Sequence, residues 1–408
     1  MNARRCDIAI LGGGLAGGLI ALALARHRPD LTLLLVEQDD RLGGNHVWSF
    51  FGTDADKPAT DLLAPMVTAT WSDYEVRFPN HTRTLGTSYC AMTSARLDEA
   101  LREALPADAI LSGQSVTGCT EDEVTLGDGT LISAGGVIDT RGIRDVTHFT
   151  GGWQKFVGQK LKLTAPHGLA RPIVMDATVE QLDGYRFVYA LPFAPDIVFL
   201  EDTYYSDGSE LDRPLLRQRI ADYAAAKGWQ IEAVIGEEHG VLPVVAGGDF
   251  DGFWRAGGDA TARAGSRAGL FHALTSYSVP DAVRFALTLA KESALDGASL
   301  KAFSARWAAQ HWETQAYYRS LSALLFKAAE PEGRYRVLQR FYTLDPQLIE
   351  RFYSGRSTPF DKFRILAGIP PVPISRALAV LTGLGRRPAP LQFKSQTIGQ
   401  NLGTPEAS

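Results

Sequence analysis

The sequence predicts an α/β protein: a parallel sheet that begins at the N-terminus, a strand-rich middle segment that forms an antiparallel sheet, and a helical C-terminal region. Three observations predict it. A glycine-rich turn lies between two short apolar strands near the start, runs of aromatic and β-branched residues fill the stretch around 185–205, and the pattern from Ser299 onward is helical. At 408 residues the chain has room for two or three domains. Its 45% hydrophobic and 21% charged residues are those of an ordinary folded protein.

Composition also narrows the function. A net charge of −5 argues against a general nucleic-acid binder, which needs a basic excess to neutralise phosphates. Cys6, Cys90 and Cys119 are scattered and odd in number, which suits a reducing cytoplasm better than a disulfide framework. No two of the eight histidines lie within five residues of each other, so no metal site is expected from local spacing.

The first element is a strand, Asp7 to Leu11, followed by Gly12, Gly14 and Gly17 in a G-x-G-x-x-G pattern with Gly13, Leu15 and Ala16 between. A helix is expected from Leu19, and a second strand from Leu31 to Val36 ends directly at Glu37, 20 residues after Gly17. The first glycine makes a tight turn, the second admits a pyrophosphate to the backbone, and the third lets helix and strand pack closely. The helix N-terminus offers free N–H groups and partial positive charge, and Glu37 can accept from a ribose hydroxyl. Arg4 and Arg5 before the uncharged run 8–25 have the outline of a secretory signal. The strand–glycine–helix–strand order inside that run argues for a Rossmann-type nucleotide site instead.

Arg41-Leu-Gly-Gly44, just after Glu37, resembles the extended fingerprint of the FAD-binding flavoproteins related to glutathione reductase. A helix from Ser94 to Leu105, a hairpin turned at Gly127-Asp-Gly129 and a strand Gly136 to Asp139 fit that family. Gly257-Gly-Asp-Ala260 is similar to its late Gly-Asp motif, which makes Asp259 and Ala260 further cofactor contacts. The resemblance implies a discontinuous FAD domain at 1–65, 90–150 and 240–297, and a substrate-binding β-sheet domain at 66–89 and 151–239. A helical region at 298–387 follows, with a disordered tail at 388–408.

In the middle segment Tyr185 to Leu191 and Ile197 to Tyr205 read as paired strands around a Phe193-Ala-Pro-Asp196 turn. Side chains alternate along a strand, so Glu201 shares a face with Phe199, Thr203 and Tyr205, and Asp202 shares the other with Val198, Leu200 and Tyr204. An acid enclosed by apolar groups holds its proton and becomes a donor. The alternative is that both acids meet water or arginine.

The segment Phe199-Leu-Glu-Asp-Thr203 resembles the acidic motif of lycopene cyclases. So do Gly12 to Leu24, Leu42 to Phe50, Arg267 to His272, Tyr277 to Pro280, Arg351 to Gly355 and Pro370 to Pro373, a resemblance running from about 6 to about 380. This chain has Ala273 and Ser276 where the family usually has Pro and Gly, which puts the local backbone shape in question. The resemblance implies redox-neutral ring closure of the linear ψ-ends of lycopene, giving γ-carotene and then β-carotene. Glu201 would be the acid, with Asp202 second or setting its state. His272 and His46 would be proton-relay candidates, and Trp48, Phe50, Tyr204, Tyr205 and Tyr277 would offer aromatic faces to the cation. Reduced FAD would supply negative charge beside it, with NADPH or NADH as its reductant. Two other readings stand beside this one: an FAD-dependent isoprenoid reductase or hydroxylase, and a non-enzymatic prenyl-binding protein.

The charge is uneven. From Pro331 to Arg387 there are ten basic against four acidic residues, a local +6 that leaves −11 for the rest. Arg351, Arg356, Lys362 and Arg364 interleave with Phe352, Tyr353, Phe360, Phe363, Ile365 and Leu366. Without a spanning segment, this fits either a helix with a solvated basic face or a surface docking on anionic lipid, peripheral on the inner face of the cell membrane.

Overall fold

The computed structural model describes residues 4–258, 260–368 and 372–393. The first sheet is parallel where the glycine turn meets it: Ile110–Leu111, Leu33–Val36, Arg4–Leu11, Leu131–Asp139 and Ala262–Arg263 run together. Glu123–Leu126 and Val116–Cys119 extend it antiparallel through the Gly127–Gly129 hairpin. The helix Leu15–His27 is buried from Gly17 through Leu24. A helix apolar all round must be enclosed, and each buried leucine adds about 1.5–3 kcal/mol. The uncharged run 8–25 is thus core strand and core helix. Gly18 lets that helix close on Leu97 and Leu101 of the helix Ser94–Ala104, whose side chains lie 3.1 Å from where a Cβ would be.

The second sheet is mostly antiparallel, in the order Ile231–Gly248, Phe149–Leu163, Ile197–Ser206, Tyr185–Ala194, Ile173–Asp176, Tyr74–Phe78, His81–Leu85. Pro195 and Asp196 make the connection between the two strands read from the sequence. One face packs Val157, Leu161, Val198 and Leu200 against Leu216 and Ile220 of the helix Arg213–Ala226. The opposite face carries Tyr185, Phe187, Phe199 and Tyr205, and it packs toward Phe51, Tyr89 and the C-terminal helices through Phe352 and Tyr353. A separate three-stranded sheet (Val47–Phe51, Tyr89–Thr93, Val67–Trp71) is built from stretches on either side of the strands Tyr74–Phe78 and His81–Leu85.

The end of the chain is helical: Gly297–Thr314, Ala316–Lys327, Tyr335–Phe341, Pro346–Tyr353, Pro359–Leu366 and Ile374–Leu381. Disorder expected from 388 does not begin there. Ala389–Pro390 pair with Gly151 and Thr150, Leu391 is buried, and the Phe393 ring lies 4.9 Å from that of Trp153. An apolar side chain every second residue gives this short stretch a seat that its polar surroundings in sequence conceal. Residues 394–408 lie outside the described ones. No helix among the described residues is long and apolar enough to cross a membrane.

Candidate active site

The glycine turn sits at the carboxyl ends of the parallel strands, where open α/β sheets bind ligands. Gly12 has φ +103°, and a Cβ there would meet Thr140 and the Arg141 backbone at 3.0–3.2 Å. A Cβ on Gly17 would lie 2.0 Å from the Gly12 carbonyl oxygen, so only glycine fits. Nothing lies within 4 Å of the Cβ that Gly14 lacks, which leaves the turn open on the side a phosphate would approach. Gly14 is also the N-cap of the helix, with no side chain on the first N–H groups and no acid in the first turn.

Glu37 braces this loop. Its Oε2 accepts from Gly13 N–H at 2.6 Å and its Oε1 from Asp39 N–H at 3.1 Å. A carboxylate has about four acceptor positions, so room remains for a ribose hydroxyl. Gly43 N–H donates to the Gly13 carbonyl at 2.9 Å, and Gly43 and Gly44 both take positive φ. Leu42 is buried against the loop, whereas Arg41 is exposed. These residues fit a dinucleotide such as FAD: an open glycine cradle, a bare helix N-terminus and an acid at the second strand's end.

The late motif is placed differently from the expectation. Asp259 lies outside the described residues. Ala260 is exposed and comes before the short strand Ala262–Arg263 rather than after it. Gly265 reaches the cradle instead, at φ +60° and with its missing Cβ 2.6 Å from the Ala16 side chain. The Gly-Asp pair drew attention by residue type, but the parallel sheet presents ligands past the end of the strand, and the residue there is Gly265.

The segment after Gly44 crosses from the cradle to the antiparallel sheet. Asn45 donates through Nδ2 to the Glu237 carbonyl, and Val47 N–H donates to Glu238 Oε2 at 2.9 Å. His46 Nδ1 lies 3.4 Å from the same oxygen, with its side chain 47% exposed. His46 therefore faces the acidic sheet as well as the cradle loop. Trp48 packs near it, ring centroids 5.7 Å apart.

Across that sheet, Gly158 pairs on one side with Glu238 and on the other with Glu201, which in turn pairs with Tyr189. Directly paired residues project to one face. Glu238, Gly158, Glu201 and Tyr189 thus form a row on the aromatic face. Burial, and next the charge of Glu238, push the Glu201 carboxyl up to about 8. Thr203 Oγ1 donates to its Oε1 at 2.5 Å. A glutamate in this setting carries its proton at neutral pH.

Asp202 is turned the other way. It is fully buried, and Arg186 grips it with Nε at 2.9 Å and Nη2 at 2.5 Å. Burial pushes its carboxyl up and the guanidinium opposes that. Asp202 does not join Glu201, because neighbours along a strand face opposite ways. Tyr204 goes with it, 4.6 Å under the Lys155 ammonium, so it is not an aromatic wall for the acid. Tyr205 does lie on the Glu201 face, its hydroxyl donating to Gln154 Oε1 at 3.1 Å.

His272 is 2% exposed and wedged against Tyr318 and Phe352, with ring centroids at 4.4 and 5.3 Å. Burial pulls it down to about 4, so it is neutral at physiological pH. Its Nδ1 accepts from Leu274 N–H at 3.3 Å. None of its described contacts is with Glu201, and its geometry is that of a turn-former. Ser276 takes the left-handed φ of +56° that glycine adopts freely, and its hydroxyl donates to the Pro243 carbonyl at 2.8 Å. The turn keeps the shape a glycine would give it, at a conformational cost of about 1–2 kcal/mol.

Tyr277, at the start of the helix Val279–Leu289, donates to Asp54 Oδ2 at 2.5 Å. Asp54 is buried and pushed up to about 6 by that burial. It lines a cavity of about 120 Å³ with Phe50, Pro280, Arg284 and Arg356. Nothing in the sequence singled out Asp54. Glu238 did leave a signal: Glu237–Glu238 is a second adjacent acid pair in a strand, like Glu201–Asp202. Among the described residues no group of three or more His, Cys, Asp or Glu side chains could hold a metal ion.

The fold is that of the FAD-dependent monooxygenases. The p-nitrophenol 4-monooxygenase PnpA of Pseudomonas putida superposes with a TM-score of 0.56 at 14% identity, over 87% of this chain and 99% of that one. Within that fold the lycopene cyclase protein family matches residues 7–379, and the chain belongs to that family. It is 44% identical to the lycopene beta-cyclase of Pseudescherichia vulneris, over 91% of this chain and 96% of that protein. To the lycopene beta-cyclase of Pantoea ananas it is 42% identical, over 92% and 98%.

Proposed function

We propose that the protein is a lycopene β-cyclase that closes ψ-ends of lycopene and related carotenoids into β-rings. The observation that carries this is Glu201: a carboxyl that burial and Glu238 push up to about 8, on an aromatic face, two strand pairings (through Gly158 and Glu238) from the segment that wraps the nucleotide cradle. A terminal alkene has no hydrogen-bonding handle, so its protonation needs a placed acid. Glu201 gives its proton to the terminal double bond. The tertiary cation is attacked by an internal double bond of the chain, and loss of a ring proton completes the β-end. Proton gain and loss balance, and no net oxidation occurs. Tyr189 and Phe187, on the face of Glu201, offer ring faces that attract a cation by about 0.5–2 kcal/mol each.

FAD would be held by the Gly12–Gly17 turn, Glu37, Gly43 and Gly265; bound and reduced, it supplies negative charge that steadies a cation without trapping it. NADPH or NADH serves only to keep it reduced. The deciding experiment is to give lycopene to the FAD-loaded, reduced protein. Cyclic product formed without stoichiometric NADPH consumption supports the reading. NADPH consumed in proportion to product would make the protein a reductase or hydroxylase.

We also propose that the protein works on the cytoplasmic membrane surface, where carotenoids reside. Phe360 and Phe363 are 69% and 65% exposed, and Leu366 on the same helix and Ile374, Leu378 and Leu381 on the next are exposed as well. So many large apolar side chains left exposed at one end of the chain suit an interaction surface. The basic residues divide: Arg351 is locked to buried Asp361 by two bonds of 2.7 Å, and Phe352 and Tyr353 are core, whereas Arg356 and Arg364 are exposed. Flotation with anionic liposomes tests this. Phe360→Ser with Phe363→Ser should release the protein, and unchanged flotation would refute the surface.

A further inference from the structure

The row across the acid's sheet contains a second carboxylate that the reaction outlined above does not use. We propose that Glu238 is a positioning residue that keeps Glu201 in its proton-carrying form, acting through the space over Gly158. The inference rests on the reading of Glu201 as the acid.

The geometry is specific. Gly158 is paired directly with both glutamates, so its two neighbours across the sheet are acids on one face. It has no side chain to separate them. A Cβ built there would lie 3.3 Å from Glu238 Cγ, so the Glu238 side chain leans over the gap toward Glu201. The tip of the Phe199 ring, 2.3 Å from the same point, fills the space directly over Gly158, so a ring edge stands beside the gap between the two acids. Glu238 is 4% exposed and accepts from Val47 N–H, a role that suits a carboxylate. Two neighbouring carboxylates with apolar matter between them cannot both ionise cheaply, and the one with fewer donors keeps the proton. Glu201 is that one, with a single hydroxyl donor in Thr203.

The other groups facing Glu201 leave this arrangement in charge. Tyr189 lies beside it on its own sheet and Tyr89 beyond that, and burial pushes both phenols up, so they stay neutral. Tyr353, from the C-terminal helices, is likewise pushed up, to about 12. Lys160, two pairing rows away and on the same face, points its ammonium at the Phe193 ring 5.2 Å off. Asp202 lies behind the strand with Arg186, and His46 stands on the far side of Glu238. Burial alone would also raise Glu201, and the substitution of Glu238 separates the two causes.

The test compares wild type, Glu201→Gln and Glu238→Gln as FAD-loaded proteins, by kcat/KM against pH and by the infrared carbonyl stretch of the protonated carboxyl. The stretch is assigned to Glu201 by its loss in Glu201→Gln. In Glu238→Gln the basic limb of activity and the infrared titration should both move to lower pH by about one unit or more, while activity on the acid plateau is kept. A structural role for Glu238 would lower activity at every pH without moving the limb. An unmoved limb and an unmoved titration overturn the proposal. If Glu238→Gln does not retain flavin, Glu238→Ser is read the same way. In wild type, a Glu201 signal already lost below pH 6 overturns the proposal without any Glu238 variant. If Glu201→Gln still cyclises lycopene, the reading of the acid fails, and the shift of the Glu201 infrared signal in Glu238→Gln still decides this inference.

Discussion

The two faces of the antiparallel sheet treat their acids in opposite ways. On the helix-covered face, Asp202 is gripped by Arg186, and Glu237 meets Arg213 and Arg217. Burial raises Glu237, yet Arg217, Gln159 and Arg213 together hold it down to about 2. On the aromatic face, Glu201 and Glu238 meet each other across a glycine. Each adjacent acid pair thus sends one member to each face. Arginines go to the face that needs only stability, and the face toward the nucleotide cradle keeps an acid with a raised pKa. On the proposed reading, the acid keeps its proton because no arginine pairs with it.

The largest effect should come from breaking the aromatic face. Glu201→Gln removes the proton donor and should cut cyclisation by about 10²–10⁴-fold, with stability preserved, measured by pigment conversion and by denaturation of the same preparation. Breaking the other face should do the reverse. Asp202→Asn leaves the Arg186 guanidinium buried without its partner and should cost about 3–5 kcal/mol in urea denaturation. Turnover per folded molecule should stay within a few-fold of wild type. If Asp202→Asn lost activity with stability intact, the division of labour between the faces would be wrong.

Gly158→Ala sharpens the comparison, since a methyl there would press on Phe199 and Glu238. It should destabilise by about 1–3 kcal/mol and lower activity as the two glutamates are forced apart, measured by denaturation and turnover together. The smallest effect is a slope. A folded-state pKa of about 8 for Glu201 lies above its unfolded value of 4.5. The folded protein therefore binds a proton that the unfolded chain has released across that window. The stability from this proton is complete below 4.5 and is lost as pH rises through about 8. Glu201→Gln, which cannot ionise, should flatten the decline, so its stability relative to wild type should be higher at pH 8 than at pH 5.

Much of this was legible in the residues. Gly12, Gly14, Gly17 and Glu37 announce their places in the loop because a turn, a close backbone approach and an acid after a strand leave few alternatives. The period of two along Ile197–Ser206 separated Glu201 from Asp202, but not which would meet an arginine. Arg186 lies across a hairpin, and only the strand register decides that it faces Asp202. Gly265 and Asp54 were hidden for the same reason, since their partners Ala16 and Tyr277 are far off in the chain, and the acid pair Glu237–Glu238 gave no hint that Gly158 would set Glu238 beside Glu201. His272 looked like chemistry by type, and its packing against Tyr318 and Phe352 makes it a neutral part of a turn.

The central claim is that Glu201 is the protonating acid. Lycopene supplied to FAD-loaded, reduced wild type and Glu201→Gln, side by side at neutral pH, tests it most directly. β-Carotene from the wild type and unchanged lycopene from a folded, flavin-binding Glu201→Gln is the predicted result. Cyclisation by Glu201→Gln at the wild-type rate would contradict it.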